Sequence, residues 1–387
     1  VPIDVQNSTI SKFRYPDEVS LRTYKPTVRG HAVQIKKVIK ALSRARKPII
    51  CAGGGVILSG AKSELRNFSH KYGIPVVSTM MGLSALPTDD PLYFGMVGNN
   101  GKPYANRAMN EADLIIMIGA RVADRAISQP DLIIGNKVLI HIDVDPAEIG
   151  KNVGPTIPLV GDIKAIFEDL MSNESDADYS EWVSLLGDYK SQAPERKKPR
   201  DGFVDPAEFI RLLSLKLSDD AIYVADVGQN QMWSCGYHIV KKGIFMTSGG
   251  MGTMGYSIPA AIGARAASIE AQNGKRQIVA VCGDGSFQMS MMELATMQQH
   301  RLPVKIIIFR NGYLGLVREY QYNTYKANYS VVELSGSPDF SKLASAYDIP
   351  CVKADNMDEI DEIIDSFLNI EGPAIMDVNI DPLDMSK

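Results

Sequence analysis

The stretch Val281-Cys-Gly-Asp-Gly-Ser286, with Arg310-Asn311 downstream, decides the reading of this chain. Asp284 and Asn311 lie 27 positions apart, separated by a helical pattern from Phe287 to His300 and an apolar, strand-like run from Val304 to Phe309. A strand, a glycine turn, a helix and a second strand return Asn311 to the side of Asp284. Two oxygen-bearing side chains then face one point at a strand-end crevice. Oxygen ligands suit Mg²⁺, which also takes waters and phosphate oxygens. Gly283 and Gly285 let main-chain N–H groups come close to a phosphate, and the helix N-terminus that opens at Ser286 favours negative charge. The reading is a diphosphate-plus-Mg²⁺ site. Gly-Asp-Gly alone is an ordinary turn sequence; the distant Asn is what makes it a site.

Bulk properties bound the rest. The 387 residues suggest two to three domains, and 45% hydrophobic with 22% charged residues fits a globular protein with full-sized cores. A net charge of −4 gives no basic field to recruit nucleic acid. No apolar run reaches transmembrane length and no signal peptide is visible, so no membrane association is expected. Cys51, Cys235, Cys282 and Cys351 lack metal spacing and read as buried free thiols in a reducing cytoplasm. The basic cluster around Arg196 reads as a solvated linker.

Strand and helix patterns alternate twice. Residues 24–172 carry strand-like runs at Pro48–Ala52, Ile74–Ser78, Leu114–Ile118 and Val138–Ile142, with helical stretches at His31–Ala45, Ser59–Lys71 and Ile163–Met171. Residues 173–202 read as a connection with a short helix near Tyr179–Tyr189. Residues 203–387 repeat the alternation, with a helix capped by Asp205 and strands at Ile222–Ala225, Gln277–Cys282, Val304–Phe309 and Ala374–Val378. The fold class is α/β, two doubly wound parallel-sheet domains, whose ligands sit beyond the strands' carboxyl ends. Residues 1–23 read as linker, and Val1–Val5 as the last strand of an upstream domain.

Two further segments sit where such ligands bind. Thr247-Ser-Gly-Gly-Met-Gly-Thr-Met-Gly255 has four glycines in nine residues and permits close backbone approach to a flat ligand, or simply makes a tight connection. Met254 reads as a core filler or as a soft support under a ring. Val227-Gly-Gln-Asn-Gln-Met-Trp233 follows another strand end, where its amides suit phosphate oxygens or merely start a helix.

Together these segments resemble thiamine diphosphate enzymes, in particular the acetolactate synthase large-subunit family. Leu302-Pro-Val-Lys-Ile, Tyr313-Leu-Gly-Leu-Val-Arg318, Cys51-Ala-Gly-Gly-Gly-Val-Ile-Leu-Ser-Gly60, Ile118-Gly-Ala-Arg-Val-Ala-Asp-Arg125 and His141-Ile-Asp-Val-Asp-Pro146 extend the resemblance over nearly the whole chain. It implies Mg²⁺ ligation by Asp284, Asn311 and the Tyr313 carbonyl. Gly228, Gln229, Asn230, Gly283, Gly285 and Ser286 would hold the diphosphate, the Gly252 carbonyl would accept from the aminopyrimidine, and Met254 would prop the bent cofactor. It implies FAD in a structural role, lined by Gly54, Arg121, Asp143 and Asp162. Arg125 would hold the acceptor's carboxylate and Tyr320 would shape its pocket.

The implied activity is decarboxylation of pyruvate and ligation of the two-carbon unit to a second 2-ketoacid, in branched-chain amino acid biosynthesis. The implied assembly is a cytoplasmic homodimer or homotetramer with a small regulatory subunit. The catalytic glutamate belongs to the upstream domain, so residues 1–387 alone are expected to be inactive. The family's pattern is broken at Arg310, at Asn230, at Asn99-Asn100 and at Tyr320. A related carboligase, decarboxylase or oxidase, or a non-catalytic nucleotide-binding homologue, are the alternatives.

Overall fold

A computed structural model describes residues 1–123, 126, 127, 135, 137–174 and 177–386. It holds two six-stranded sheets, parallel throughout. The first comprises β1 (Pro48–Ala52), β2 (Val76–Ser78), β3 (Tyr93–Met96), β4 (Leu114–Ile118), β5 (Val138–Asp143) and β6 (Ile157–Val160), in the order β3-β2-β1-β4-β5-β6. Strands β1 and β4 are buried at every position, as unbroken apolar runs in a doubly covered sheet should be. Alternate residues feed opposite cores: Ile50, Ile116 and Ile118 meet Phe68 and Phe167 on one face, while Ile49, Ile115 and Met117 meet Trp182 on the other.

The described helices around this sheet are α1 (Ile3–Gln6), α2 (Ala32–Leu42), α3 (Gly54–Leu58), α4 (Lys62–Tyr72), α5 (Pro103–Glu111), α6 (Ile163–Met171) and α7 (Ser180–Ser191). Helix α7 falls in the stretch read as a connection, but it is tied to the first sheet. Trp182 is buried and its indole N–H donates to the Pro48 carbonyl at 3.0 Å.

The second unit starts with α8 (Pro206–Lys216), whose N-terminal N–H groups are accepted by Asp205. Then come β7 (Ile222–Ala225), α9 (Gln229–Tyr237), β8 (Ile244–Thr247), α10 (Ser257–Glu270), β9 (Ile278–Gly283), α11 (Asp284–Gln288), α12 (Glu293–Gln299) and β10 (Lys305–Arg310). The unit ends with α13 (Gly315–Tyr325), α14 (Phe340–Ala346), β11 (Cys351–Ala354), α15 (Ile360–Leu368) and β12 (Ala374–Asn379). The order is β11-β12-β10-β9-β7-β8. From β7 the chain steps outward to β8 and then crosses to β9 on the other side, which opens a crevice at the carboxyl ends of β7 and β9.

Several expectations are corrected. Val1–Val5 is not a strand: Ile3–Gln6 forms one helical turn with no buried residue. The helix expected over Phe287–His300 is two, α11 and α12, broken near Ser290. The Arg196 cluster is not merely solvated. The Arg196 side chain is 11% exposed and forms ion pairs with Asp205 and Asp384. All four cysteines are free; Cys51, Cys235 and Cys282 are buried, and burial pushes the Cys51 thiol up to about 12. No helix of the described residues is long and apolar enough to cross a membrane.

The C-terminal segment is fastened back onto the second unit. Arg200 donates from its Nε and Nη2 to the two oxygens of buried Asp381, at 2.9 and 2.6 Å. The guanidinium holds the Asp381 carboxyl down to about 2. That lies below the unfolded value of about 3.9, so the stabilisation is full above about pH 5 and is lost as pH falls through 2. Urea unfolding of wild type and Asp381→Asn should therefore show a stability gap at pH 6 that narrows between pH 4 and pH 2. A gap independent of pH would exclude this ion pair as its source.

Candidate functional site

Strands β7, β9 and β10 are neighbours, and their carboxyl ends frame a cavity of about 370 Å³. That is within the size range of small-molecule sites. The ends are held in place by side chains as well as by the ladder. Asp226, just past β7 and fully buried, accepts from the N–H groups of Gly255 (2.9 Å) and Ser257 (2.7 Å). One carboxylate so pins the glycine-rich loop and the start of α10 to the end of β7. Sequence reasoning passed over Asp226; its place between a strand end and a Gly in Ala225-Asp-Val-Gly228 was the available signal.

Gly228 has φ +142, and a Cβ there would lie 2.8 Å from Asn230 Oδ1, so glycine is required on both counts. Asn230 donates both amide hydrogens to main-chain carbonyls, of Asp226 (2.8 Å) and Val281 (3.1 Å), lacing β7 to β9. Gln229 is likewise committed: its Nε2 donates to Glu319 (3.0 Å) and to the Asp384 carbonyl (2.9 Å). These two side chains serve the protein. What they have for an anion is the first-turn N–H groups of α9, which lack intrahelical partners.

The second strand end carries Gly283, Asp284, Gly285 and Ser286, all lining the cavity. Ser286 Oγ accepts from the Gly283 N–H at 3.0 Å and closes the turn. Asp284 is 1% exposed, and accepts from the N–H groups of Gly285 (3.0 Å) and Gly312 (2.7 Å). It has no ion pair among the described residues. Burial pushes its carboxyl up to about 6, against the pull of those N–H groups and of Arg310.

At the third strand end Asn311 and Tyr313 line the same cavity. Asn311 Nδ2 donates to Gln229 Oε1 (3.2 Å), and its Oδ1 accepts from the Tyr313 N–H (3.0 Å). The Tyr313 carbonyl accepts no hydrogen bond among the described residues. Met254 and Tyr320 are also in the lining; Gly252, at φ +67, lies in the same loop as Met254 but outside it.

The candidate second nucleotide site is a row rather than a cavity. Gly54, Arg121, Asp143 and Asp162 follow β1, β4, β5 and β6 at or next to their carboxyl ends, and β1 and β4 flank the point where the first sheet's order reverses. Asp162 caps α6 through the N–H groups of Lys164 and Ala165, and Asp143 accepts from the Asp145 N–H. Arg121 is exposed. None of the four lines the cavity at β7, β9 and β10. Arg125 lies outside the described residues.

The residues fit a diphosphate with Mg²⁺. Gly283 has an ordinary extended backbone, φ −86, and a Cβ would make only normal contacts with the protein. What a side chain there would occupy is the cavity. Asp284 offers a buried charge without a counter-ion, and the Asn311 and Tyr313 oxygens are neutral. No group of three His, Cys, Asp or Glu able to hold a metal occurs among the described residues. One carboxylate with neutral oxygens leaves positions for phosphate oxygens and water, which is the Mg²⁺ pattern rather than a Ca²⁺ cage.

Comparison with known proteins gives the family. Residues 35–170 match the family described as thiamine pyrophosphate enzyme, central domain, and residues 226–378 its C-terminal TPP binding domain. The chain is 39% identical to the probable acetolactate synthase large subunit of Methanocaldococcus jannaschii, over 99% of this chain and 66% of that protein. It is 40% identical to the acetolactate synthase large subunit of Lactococcus lactis subsp. lactis (92% and 61%), and 36% identical to that of Haemophilus influenzae (98% and 68%). The chain thus spans about two thirds, or slightly less, of the length of these relatives.

Replacing Asp226 tests the anchoring. Asp226→Ala leaves the buried Ser257 N–H and the Gly255 N–H without their acceptor and should cost about 2–4 kcal/mol in urea unfolding. A loss below about 0.5 kcal/mol, the scale of ordinary surface substitutions, would show that the loop is held by other means.

Proposed function

The chain belongs to the thiamine pyrophosphate enzyme family, and from that premise we propose that it is the central and diphosphate-binding part of an acetolactate synthase large subunit. The intact protein then decarboxylates pyruvate and joins the two-carbon unit to a second 2-ketoacid. The observation that carries this reading is the buried Asp284 carboxylate, without an ion-pair partner among the described residues, lining one cavity with Asn311 and Tyr313.

Asp284, Asn311 and the Tyr313 carbonyl hold Mg²⁺ against the diphosphate. The backbone N–H groups of Gly228, Gln229, Asn230 and Ser286, at the starts of α9 and α11, neutralise the remaining phosphate charge, while the Gly283 and Gly285 N–H groups bond Ser286 Oγ and Asp284 and shape the turn. Thiamine diphosphate supplies the electron sink for losing CO₂ from a 2-ketoacid. The Gly252 carbonyl would accept from the aminopyrimidine, and Met254, in the cavity lining, would support the cofactor. Phe309, Leu314, Leu316, Val317 and Tyr320 give the cavity an apolar wall that excludes water. Tyr320, more than half exposed at the mouth, contacts the acceptor, and Arg125 pairs with the acceptor's carboxylate. FAD, in a structural role, takes the strand-end row at Gly54, Arg121, Asp143 and Asp162. The intact protein works as a cytoplasmic homodimer or homotetramer with a small regulatory subunit.

Tyr320, where the family's pattern is broken, favours as second reading a related carboligase, a simple decarboxylase or an oxidase. Product analysis of the intact protein with pyruvate separates them: acetolactate supports the synthase, acetaldehyde or acetyl phosphate the alternatives. For the site itself, Asp284→Ala should abolish Mg²⁺-dependent thiamine diphosphate binding in calorimetry and leave the circular dichroism spectrum unchanged. Near-normal affinity in that variant would overturn the assignment.

A further inference from the structure

We infer that Glu319, on α13, is a positioning residue that acts through Gln229 to fix the direction in which Asn311 presents its carboxamide to the metal position. The inference deepens the site reading above and rests on it.

Glu319 is 5% exposed. Its carboxylate only accepts: from Gln229 Nε2 (3.0 Å), from the Ser386 N–H (3.0 Å) and from the Ser386 hydroxyl (2.9 and 3.1 Å to its two oxygens). The other group facing Gln229 Nε2 is the Asp384 carbonyl, which can only accept. Between two pure acceptors the Gln229 amide has one allowed orientation, with its NH₂ toward them. Its Oε1 is left to face Asn311, which must answer with its own NH₂, at 3.2 Å. The Asn311 carbonyl oxygen is thereby turned away from Gln229, to the side where the Tyr313 N–H lies 3.0 Å off. That N–H demands the same orientation, so both ends of the relay agree. A metal ion needs this outcome, because an amide oxygen ligates it and an NH₂ group repels it.

A second observation is independent of the amides. A Cβ on Gly315 would lie 1.9 Å from Gln229 Oε1 and 2.8 Å from Asn311 Nδ2. Gly315 has no positive φ. Glycine is there for space, and the space it leaves is filled by the Gln229–Asn311 pair. Gln229 cannot swing aside while Glu319, Asp384 and Asn311 all hold it.

The test is calorimetric titration of Mg²⁺ into the intact protein with saturating thiamine diphosphate, beside thermal unfolding without either. Glu319→Gln, whose own amide can turn either way, should weaken Mg²⁺ binding about 10-fold, the usual scale for groups that orient metal ligands. Gly315→Ala should do the same, since alanine favours the helix while displacing the relay. In a Gln229→Leu background Glu319→Gln should add nothing, because the intermediate is gone. Unchanged Mg²⁺ affinity in Glu319→Gln and Gly315→Ala, or a full additional loss in the Gln229→Leu background, overturns the inference. Asn311→Ala is the control on the site: wild-type Mg²⁺ affinity in that variant would overturn the metal reading, and the relay with it.

Discussion

A carboxylate buried with main-chain N–H partners and no cation is an electrostatic debt of several kcal/mol, and Asp284 is in that state. The N–H groups of Gly285 and Gly312 soften the cost without removing the charge. Much of the second unit follows from it. The carboxylate sits at a strand end, where parallel strands and the helix N-termini after them concentrate positive partial charge. It faces a cavity that Gly283 keeps open. Asn311 and Tyr313, in the same lining, bring only neutral oxygens, so a divalent ion entering there would carry charge that only an anionic ligand could balance. Cation and diphosphate are each disfavoured alone and favoured together.

Acidic residues do the positioning around this point, each by accepting donors that would otherwise wander. Asp226 gathers the N–H groups of the glycine-rich loop and α10. Glu319 gathers Gln229 and Ser386, and Asp384, paired with Arg196, brings its carbonyl to Gln229. The result ties the region before α8, the C-terminal segment, α13 and α9 to one amide. The two units meet through polar and apolar contacts: Lys62 Nζ donates to the Gly243 carbonyl, Thr88 and Val240 exchange hydrogen bonds, and Leu83 and Met96 pack into the second unit's core.

The alternation of long apolar strands and helices was legible, because β1, β4, β9, β10 and β12 are unbroken runs with no competing period. Strands β3, β6, β8 and β11 were not. They are the edge strands of the two sheets, four residues each and paired on one side only, so their runs are short and not buried at every position. Asp284 and Asn311 were found because one strand–helix–strand unit separates them, so local pattern sets their placement. Glu319 and Arg196 were missed or misread for the opposite reason. A Glu in the helix of Val317-Arg-Glu-Tyr320 and an Arg among lysines and prolines both look solvated. Only the return of the C-terminal segment, with Asp384 and Ser386, buries them. Gly228, Gln229 and Asn230 were expected to hold the diphosphate; the Gln229 and Asn230 side chains are committed to the protein, which leaves the backbone amides for that part.

The most direct measurement is a crystal structure of the intact protein grown with Mn²⁺ and thiamine diphosphate, with data collected at the Mn²⁺ absorption edge. Mn²⁺ replaces Mg²⁺ among oxygen ligands and marks itself by anomalous scattering. The account predicts one strong peak between a carboxylate oxygen of Asp284, Asn311 Oδ1 and the Tyr313 carbonyl, bridged to the diphosphate. Density for the diphosphate with no peak at that point, or a peak on other residues, would contradict it.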